Sequence, residues 1–165
     1  MEPNGASLAA LYAAHAPAAV RLAYRITGDR VLAEDLVQEA FVRLASRFPD
    51  LRDPTAFGAY LWTTVTNLAR SHFRRLSVER RCLERVSSAP VTADPEGHPE
   101  LWDAVLRLPP RQRAAIALRY YEDLPVGQVA DVLGCPAGTV KSLASRGIAQ
   151  LRRDFVERSA PQQVA

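Results

Sequence analysis

Residues 127–153 read GQVADVLGCPAGTVKSLASRGIAQLRR, and this stretch decides the fold. Two helical segments, 127–134 and 138–153, flank a turn at 134–137. Ala130 is small where two helices would cross closely, Gly134 can take the left-handed turn conformation, and Val140 and Ile148 can pack the second helix inward. These mutually consistent spacings predict a helix-turn-helix. Its second helix would offer Thr139, Lys141, Ser142, Ser145 and Arg146 to a major groove, with Arg152 and Arg153 near the phosphates. A hairpin with a solvated basic face is the bland alternative. Residues 138–153 carry four basic residues and no acid, which favours DNA binding over a purely structural pair.

Upstream, Leu101, Val105 and Leu108 mark a short helix that Pro109 stops, and Pro110 opens another that runs through Tyr121. Before that, residues 87–99 read SSAPVTADPEGHP, rich in proline and serine and without helical apolar spacing. A flexible linker is therefore expected over 87–98, between domains at 6–86 and 99–157. In the first domain Leu8, Leu11 and Tyr12 begin an apolar stripe, and Pro17 is expected to kink or restart the helix before Val20, Leu22 and Ile26. Gly28 and Asp29 supply a stop and an N-cap. A helix over 31–48 buries Leu36, Ala40, Phe41, Leu44 and Phe48. A long helix from Pro54 to about Arg81 turns Phe57, Leu61, Val65, Leu68 and Phe73 inward. The fold class is all-α, two small helical domains on a flexible linker, the second with the helix-turn-helix. Domains of this size bury only about 60% of their unfolded surface, so each should have a small core of its own and no deep catalytic cleft.

The 165 residues are 48% hydrophobic and 24% charged, as for a chain that folds. Net charge is only +3, yet twenty of the 21 basic residues are arginine and they are unevenly placed. Residues 1–85 carry +3, 86–100 carry −3, and 101–165 carry +3 again. Two basic segments around an acidic connector suit an anionic polymer. No run reaches the eighteen or so apolar residues of a membrane span, and the start lacks a basic leader, so a cytoplasmic location without membrane insertion is expected. Cys82 and Cys135 lie outside any paired-ligand spacing, and His15, His72 and His98 share no metal spacing with them or each other. Neither a metal nor another cofactor is indicated. No nucleophile, base and orienting partner assemble, so enzyme activity is not expected and no catalytic residue is assigned.

Two further constellations stand out. On the long helix Asn67, Arg70, His72, Arg74, Arg75, Arg80 and Arg81 follow Phe57, Tyr60 and Trp62. Arginine binds phosphate, asparagine can bond a base edge, and aromatic rings can stack on unpaired bases; an aromatic core with a solvated basic end is the alternative. On the second helix Asp35, Gln38 and Glu39 form an acidic-amide face. Exposed carboxylates there lack the burial that tunes acid–base chemistry, so a protein-binding or plainly solvated surface is expected.

AEDLVQEAFVRL at 33–44, together with LPPRQRAAIALRYYEDLPVGQVADVLGCPAGTVKS at 108–142, closely resembles the extracytoplasmic-function (ECF) sigma factors of bacterial RNA polymerase, within the sigma-70 family. The resemblance spans about 8–153. It implies that Asp35, Gln38 and Glu39 dock on core polymerase. It also implies that Leu51, Asn67, Arg70, Arg74 and Arg75 hold the opened minus-ten promoter element, and that Thr139, Lys141, Ser142, Ser145 and Arg146 read the minus-thirty-five element. Core polymerase and promoter DNA would be partners, with an anti-sigma factor as a further possible one. A basic residue commonly follows the GTVKS serine, where Leu143 stands, and alanine is common where Gly147 stands. Leu143 would remove one DNA contact, and Gly147 should weaken its helix by about 1 kcal/mol relative to alanine. Two other classes remain open: a stand-alone helix-turn-helix regulator and a polymerase adaptor that does not bind DNA.

Overall fold

The computed structural model describes residues 7–47, 54–82 and 98–159, with no strand among them. Seven helices follow in order: α1 Leu8–Thr27, α2 Arg30–Ala45, α3 Phe57–Cys82, α4 Pro99–Arg107, α5 Pro110–Ile116, α6 Val126–Leu133 and α7 Ala137–Ser159. A 3-10 turn, Pro54–Ala56, leads into α3. A π-helical turn, Ala117–Tyr121, continues α5, closed by the Glu122 N–H donating to the Ala117 carbonyl at 3.1 Å. The expected linker lies outside the described residues, save His98.

Local signals set the helix ends. The Ser7 hydroxyl accepts from the Ala10 N–H at 3.2 Å and the Asp29 carboxylate from Leu32 N–H at 3.0 Å, each satisfying a donor that a helix start leaves open. Gly28 ends α1 at φ 72°, its N–H bonded to the Tyr24 carbonyl at 2.7 Å. Pro17 lies inside α1 but does not end it. Proline removes one backbone donor at a cost of about 3 kcal/mol, and burial of Leu11, Ala16, Ala19, Leu22 and Ala23 along the same helix offsets that loss. In the first half α1, α2 and α3 pack together. Buried alanines on α1 and α2 allow close approach, while Phe57, Leu61 and Val65 of α3 are wholly enclosed. Phe57 lies 5.4 Å from the Phe41 ring, which in turn meets Tyr12 edge-on at 4.7 Å.

The second half forms the expected helix-turn-helix. Gly134, at φ 59°, ends α6 in the left-handed conformation, and Cys135 N–H reaches back to the Ala130 carbonyl at 3.0 Å. Val129, Val132 and Leu133 of α6 and Val140 of α7 are buried. Gly147 is also buried: a Cβ there would lie 2.6 Å from Ile116 Cδ1, so Ile116 would have to shift to admit a side chain between α7 and α5. Leu143 packs on the apolar core instead of standing among the outward polar residues of α7. Its side chain is thus partly buried against the core.

One finding departs from the expectation of two separate small cores. A single apolar cluster runs from Leu11 on α1 through Leu61 and Val65 on α3 to Leu118, Val129 and Val140 in the second half. The halves meet through α1, α3 and α6 and through α5 with its π turn. Each unit alone is too small to bury its apolar stripes fully, and joining them removes more apolar surface from water.

Candidate nucleic-acid interface

The α2 face comes first along the chain. Asp35, Gln38 and Glu39 are all exposed while Leu36, Val37 and Ala40 between them are buried, the outcome of a 3.6-residue period on an amphipathic helix. Glu39 accepts from the Arg43 guanidinium one turn on, and Arg30 donates to Glu34 at 3.1 Å. Asp35 and Gln38 lie in line with Val31 and Val42, which are 69% and 71% exposed. Two bare valines flanking a carboxylate and an amide make a mixed surface of the kind that protein partners cover. The helical stripe pattern treats such valines as ordinary apolar positions and gave no sign of their exposure.

On α3, Asn67, Arg70, Arg74 and Arg75 are all exposed. Arg70 donates to the Asn67 amide oxygen at 3.1 Å. Of the three aromatic residues considered for stacking, the structure separates the roles. Phe57 is wholly buried and Trp62 packs on the core, whereas Tyr60 is 53% exposed and lies two helical turns before Asn67 on the same side. Tyr60 is the ring that could stack on a base. Leu51 lies outside the described residues, as do the side chains of Arg80 and Arg81.

The third face is α7. Lys141, Ser142, Ser145 and Arg146 are exposed and Thr139 is half-buried. The Ser142 hydroxyl donates back to the Gly138 carbonyl at 3.0 Å. Lys141, Ser145 and Arg152 line an open groove whose other wall includes Arg119 and Tyr120 of the π turn. Arg119 donates to the Leu124 carbonyl at 3.1 Å, which holds the start of α6 against it. Arg119 and Tyr120 therefore extend the basic surface beyond the residues the helix-turn-helix pattern singles out. A helical reading of 111–121 could not place them, because the π turn shifts their phase.

Among the described residues no cluster of histidine, cysteine, aspartate and glutamate could hold a metal ion. Among them, too, no helix is long and apolar enough to cross a membrane. Burial pushes the Arg113 guanidinium down to about 10. Arg113 lies under the interface between the halves and not on a reading face, and it donates to the Leu108 carbonyl at 3.3 Å.

Two helical units in this order, the second ending in an exposed basic helix-turn-helix, define the sigma-70 class of initiation factors. The sigma-70 region 2 family matches residues 11–78 and the sigma-70 region 4 family residues 98–151. The RNA polymerase sigma-E factor of Streptomyces coelicolor is 33% identical over 144 residues, covering 86% of this chain and 81% of that protein. The ECF RNA polymerase sigma factor SigL of Mycobacterium tuberculosis is 32% identical over 169 residues, covering 93% and 92% respectively. Among solved structures, the sigma factor RpoE, crystallised with the anti-sigma factor NepR from Bartonella quintana, aligns with a TM-score of 0.77 at 22% identity. That alignment covers 92% of this chain and 98% of that one, and shows a shared fold. The chain belongs to the sigma-70 family, in its ECF group, and is an RNA polymerase sigma factor.

Proposed function

We propose that this sigma factor divides its work among three faces. Asp35, Gln38 and Glu39, with Val31 and Val42 beside them, dock on core polymerase. Asn67, Arg70, Arg74 and Arg75, with Tyr60 and with Leu51 ahead of them, take the opened minus-ten strand. Thr139, Lys141, Ser142, Ser145 and Arg146 read the minus-thirty-five duplex. The boundaries 6–86 and 99–157 delimit the two working domains. The observation that carries this reading is the coincidence of exposure and chemistry: all but Thr139 among the described members of these sets are exposed, on helices whose opposite sides are core.

Each step has a physical basis. Extruding a base costs a few kcal/mol, which stacking on Tyr60 and contacts from Asn67 offset. The α7 side chains can bond base edges while Arg152 and Arg153 neutralise phosphates. The chain works in the cytoplasm, contributes no catalytic group and needs no cofactor, since polymerase supplies the chemistry. An anti-sigma factor that covers the apolar and acidic faces would hold it inactive. A stand-alone regulator leaves the α2 face and the basic side of α3 without a task, and an adaptor leaves α7 without one.

The test is reconstitution with core polymerase on a pool of promoter sequences. Initiation from a defined subset, dependent on the added chain, is expected. A folded chain that supports no initiation across the pool would overturn the reading.

A further inference from the structure

We infer that Ser77, near the end of α3, is a phosphorylation site through which a basophilic serine/threonine kinase turns down the minus-ten surface. The site goes beyond the three faces, and only its consequence for promoters rests on the function proposed above. Residues 74–77 read RRLS, so arginine stands three and two positions before the hydroxyl. Basophilic kinases choose a hydroxyl by that pattern, because carboxylates in their cleft pair with the two guanidiniums. Arg74, Arg75 and Ser77 are all exposed. Among the described residues no other exposed serine has arginine at both positions. Ser46 has Arg43 three positions before it, but Glu39 holds the Arg43 guanidinium and the Ser46 hydroxyl donates to the Arg43 carbonyl at 2.8 Å.

The end of α3 is also the part of that helix that a kinase can take. A kinase cleft holds its substrate as an extended segment, so the helix must unwind locally. From Arg74 to Glu79 only Leu76 is half-buried, and the others are exposed. The helix ends at Cys82. Unwinding from that end therefore bares little apolar surface, and helix ends open at small cost. Phe73, just before the segment, packs on the core and holds the rest of α3 in place. In the transfer the Ser77 hydroxyl oxygen attacks the γ-phosphorus of ATP. An Oγ–P bond forms as the bond from phosphorus to the β–γ bridging oxygen breaks, ADP leaves, and the hydroxyl proton passes to the kinase's catalytic aspartate.

The effect of the phosphate follows from helical period. Asn67, Arg70, Arg74 and Ser77 are spaced three, four and three residues apart, which sets them in one row along α3. Ser77 lies about 15 Å along the helix axis from Asn67, on the line of the proposed minus-ten strand. A phosphoserine there carries about −1.5 to −2 charge, and Arg74, one turn away, is within reach to pair with it. The row loses a guanidinium to the new phosphate and gains a like charge against the strand. A dianion near the C-terminal end of a helix also opposes the helix dipole, which loosens the same row. Asp35, Gln38 and Glu39 stand on another helix, exposed as before. The modified chain therefore docks on core polymerase but grips the opened strand weakly, so it occupies core without initiating.

The test incubates the full chain with ATP, magnesium and the catalytic domain of a basophilic serine/threonine kinase, beside Ser77→Ala and Arg74→Ala/Arg75→Ala. Mass spectrometry locates and counts the phosphate, and circular dichroism checks helicity. Wild type should be labelled stoichiometrically at Ser77, Ser77→Ala not at that position, and the arginine variant about tenfold more slowly. Labelled and unlabelled wild type are then assembled with core polymerase and titrated with a pre-opened promoter over a range of salt. Both should bind core polymerase equally. The labelled chain should bind the promoter about tenfold or more weakly at low salt, with a salt slope smaller by about 0.7 to 1.4. Ser77→Asp, with a single negative charge, should shift binding in the same direction by less. Absent or misplaced labelling, a labelled chain that loses its fold, or promoter affinity and salt slope unchanged by the label overturns the proposal. Labelling at Ser77 with no promoter binding by either form would instead overturn the sigma function and leave the modification site standing.

Discussion

Arg70 donates to the Asn67 amide oxygen at 3.1 Å, a bond in which the amide nitrogen, a donor, takes no part. A base bonded by that nitrogen would have to offer an acceptor, and a flip of the amide would give up the bond from Arg70.

Asn67→Asp keeps the oxygen that Arg70 needs and removes the amide donor. Holoenzyme binding to a pre-opened promoter should weaken by about 1 to 3 kcal/mol, with helicity unchanged. Equal binding to the pre-opened template would remove Asn67 from the reading set.

On α2, Asp35→Ala with Glu39→Ala should lower affinity for core polymerase while costing the fold little. Among the described residues the only ion pair lost is Glu39 with Arg43, an exposed pair of a kind that contributes about 0.3 to 0.5 kcal/mol. Val42→Ser should add to the loss of polymerase binding without further change in melting temperature. Titration of labelled chain against core polymerase measures the first effect and a thermal melt the second.

Gly147→Ala sets two effects against each other. Helix propensity favours alanine by about 1 kcal/mol, but overpacking a buried site costs about 1 to 3 kcal/mol. The new Cβ would lie 2.6 Å from Ile116 Cδ1, and Ile116 is itself buried, so steric overlap should win and the variant should melt lower. Adding Ile116→Val removes the offending methyl and should recover most of the loss. A double variant no more stable than Gly147→Ala would locate the strain elsewhere.

Arg113 ties stability to alkaline pH. Burial pushes its guanidinium from the ordinary arginine value down to about 10, so between the two the unfolded chain binds a proton that the folded one has released. Stability of the wild type relative to Arg113→Met should therefore rise as pH climbs through 10, by up to about 1.4 kcal/mol per pH unit. Below pH 10 both states carry the charge and the difference should be flat. Urea unfolding of both chains at pH 8, 9, 10 and 11 provides the comparison, and a flat difference throughout would mean that Arg113 keeps its proton in the folded state.

The parts of the fold that follow local rules were readable in the residues. Gly134, Ala130 and Val140 place the helix-turn-helix because turn geometry, close crossing and burial each restrict residue type within a few positions. Asp29 marks the start of α2 for the same reason. Exposure on α2, α3 and α7 followed from helical period, so most of the candidate site was legible as well. What escaped was set by partners far away in the chain. Arg25 and Glu122 are 97 positions apart, and neither stripe nor spacing says that they meet. Leu143 and Gly147 look like departures from a DNA-reading pattern, yet the core and Ile116 explain both. Phe57 and Tyr60 have the same aromatic character, and only packing separates core from surface. Pro17 is locally a breaker, and tertiary burial overrides it.

The π turn at Ala117–Tyr121 sets the rotational phase of everything after it. A π turn accommodates one residue more than an α turn, and each residue of an α-helix advances the side-chain direction by about 100°. Were a single residue deleted there, the segment could relax to an ordinary α-helix, and the side chain following it would point about a quarter-turn away from Arg25. The meeting of the two halves thus depends on a one-residue excess at the end of α5, which makes that insertion the indexing tooth of the whole assembly.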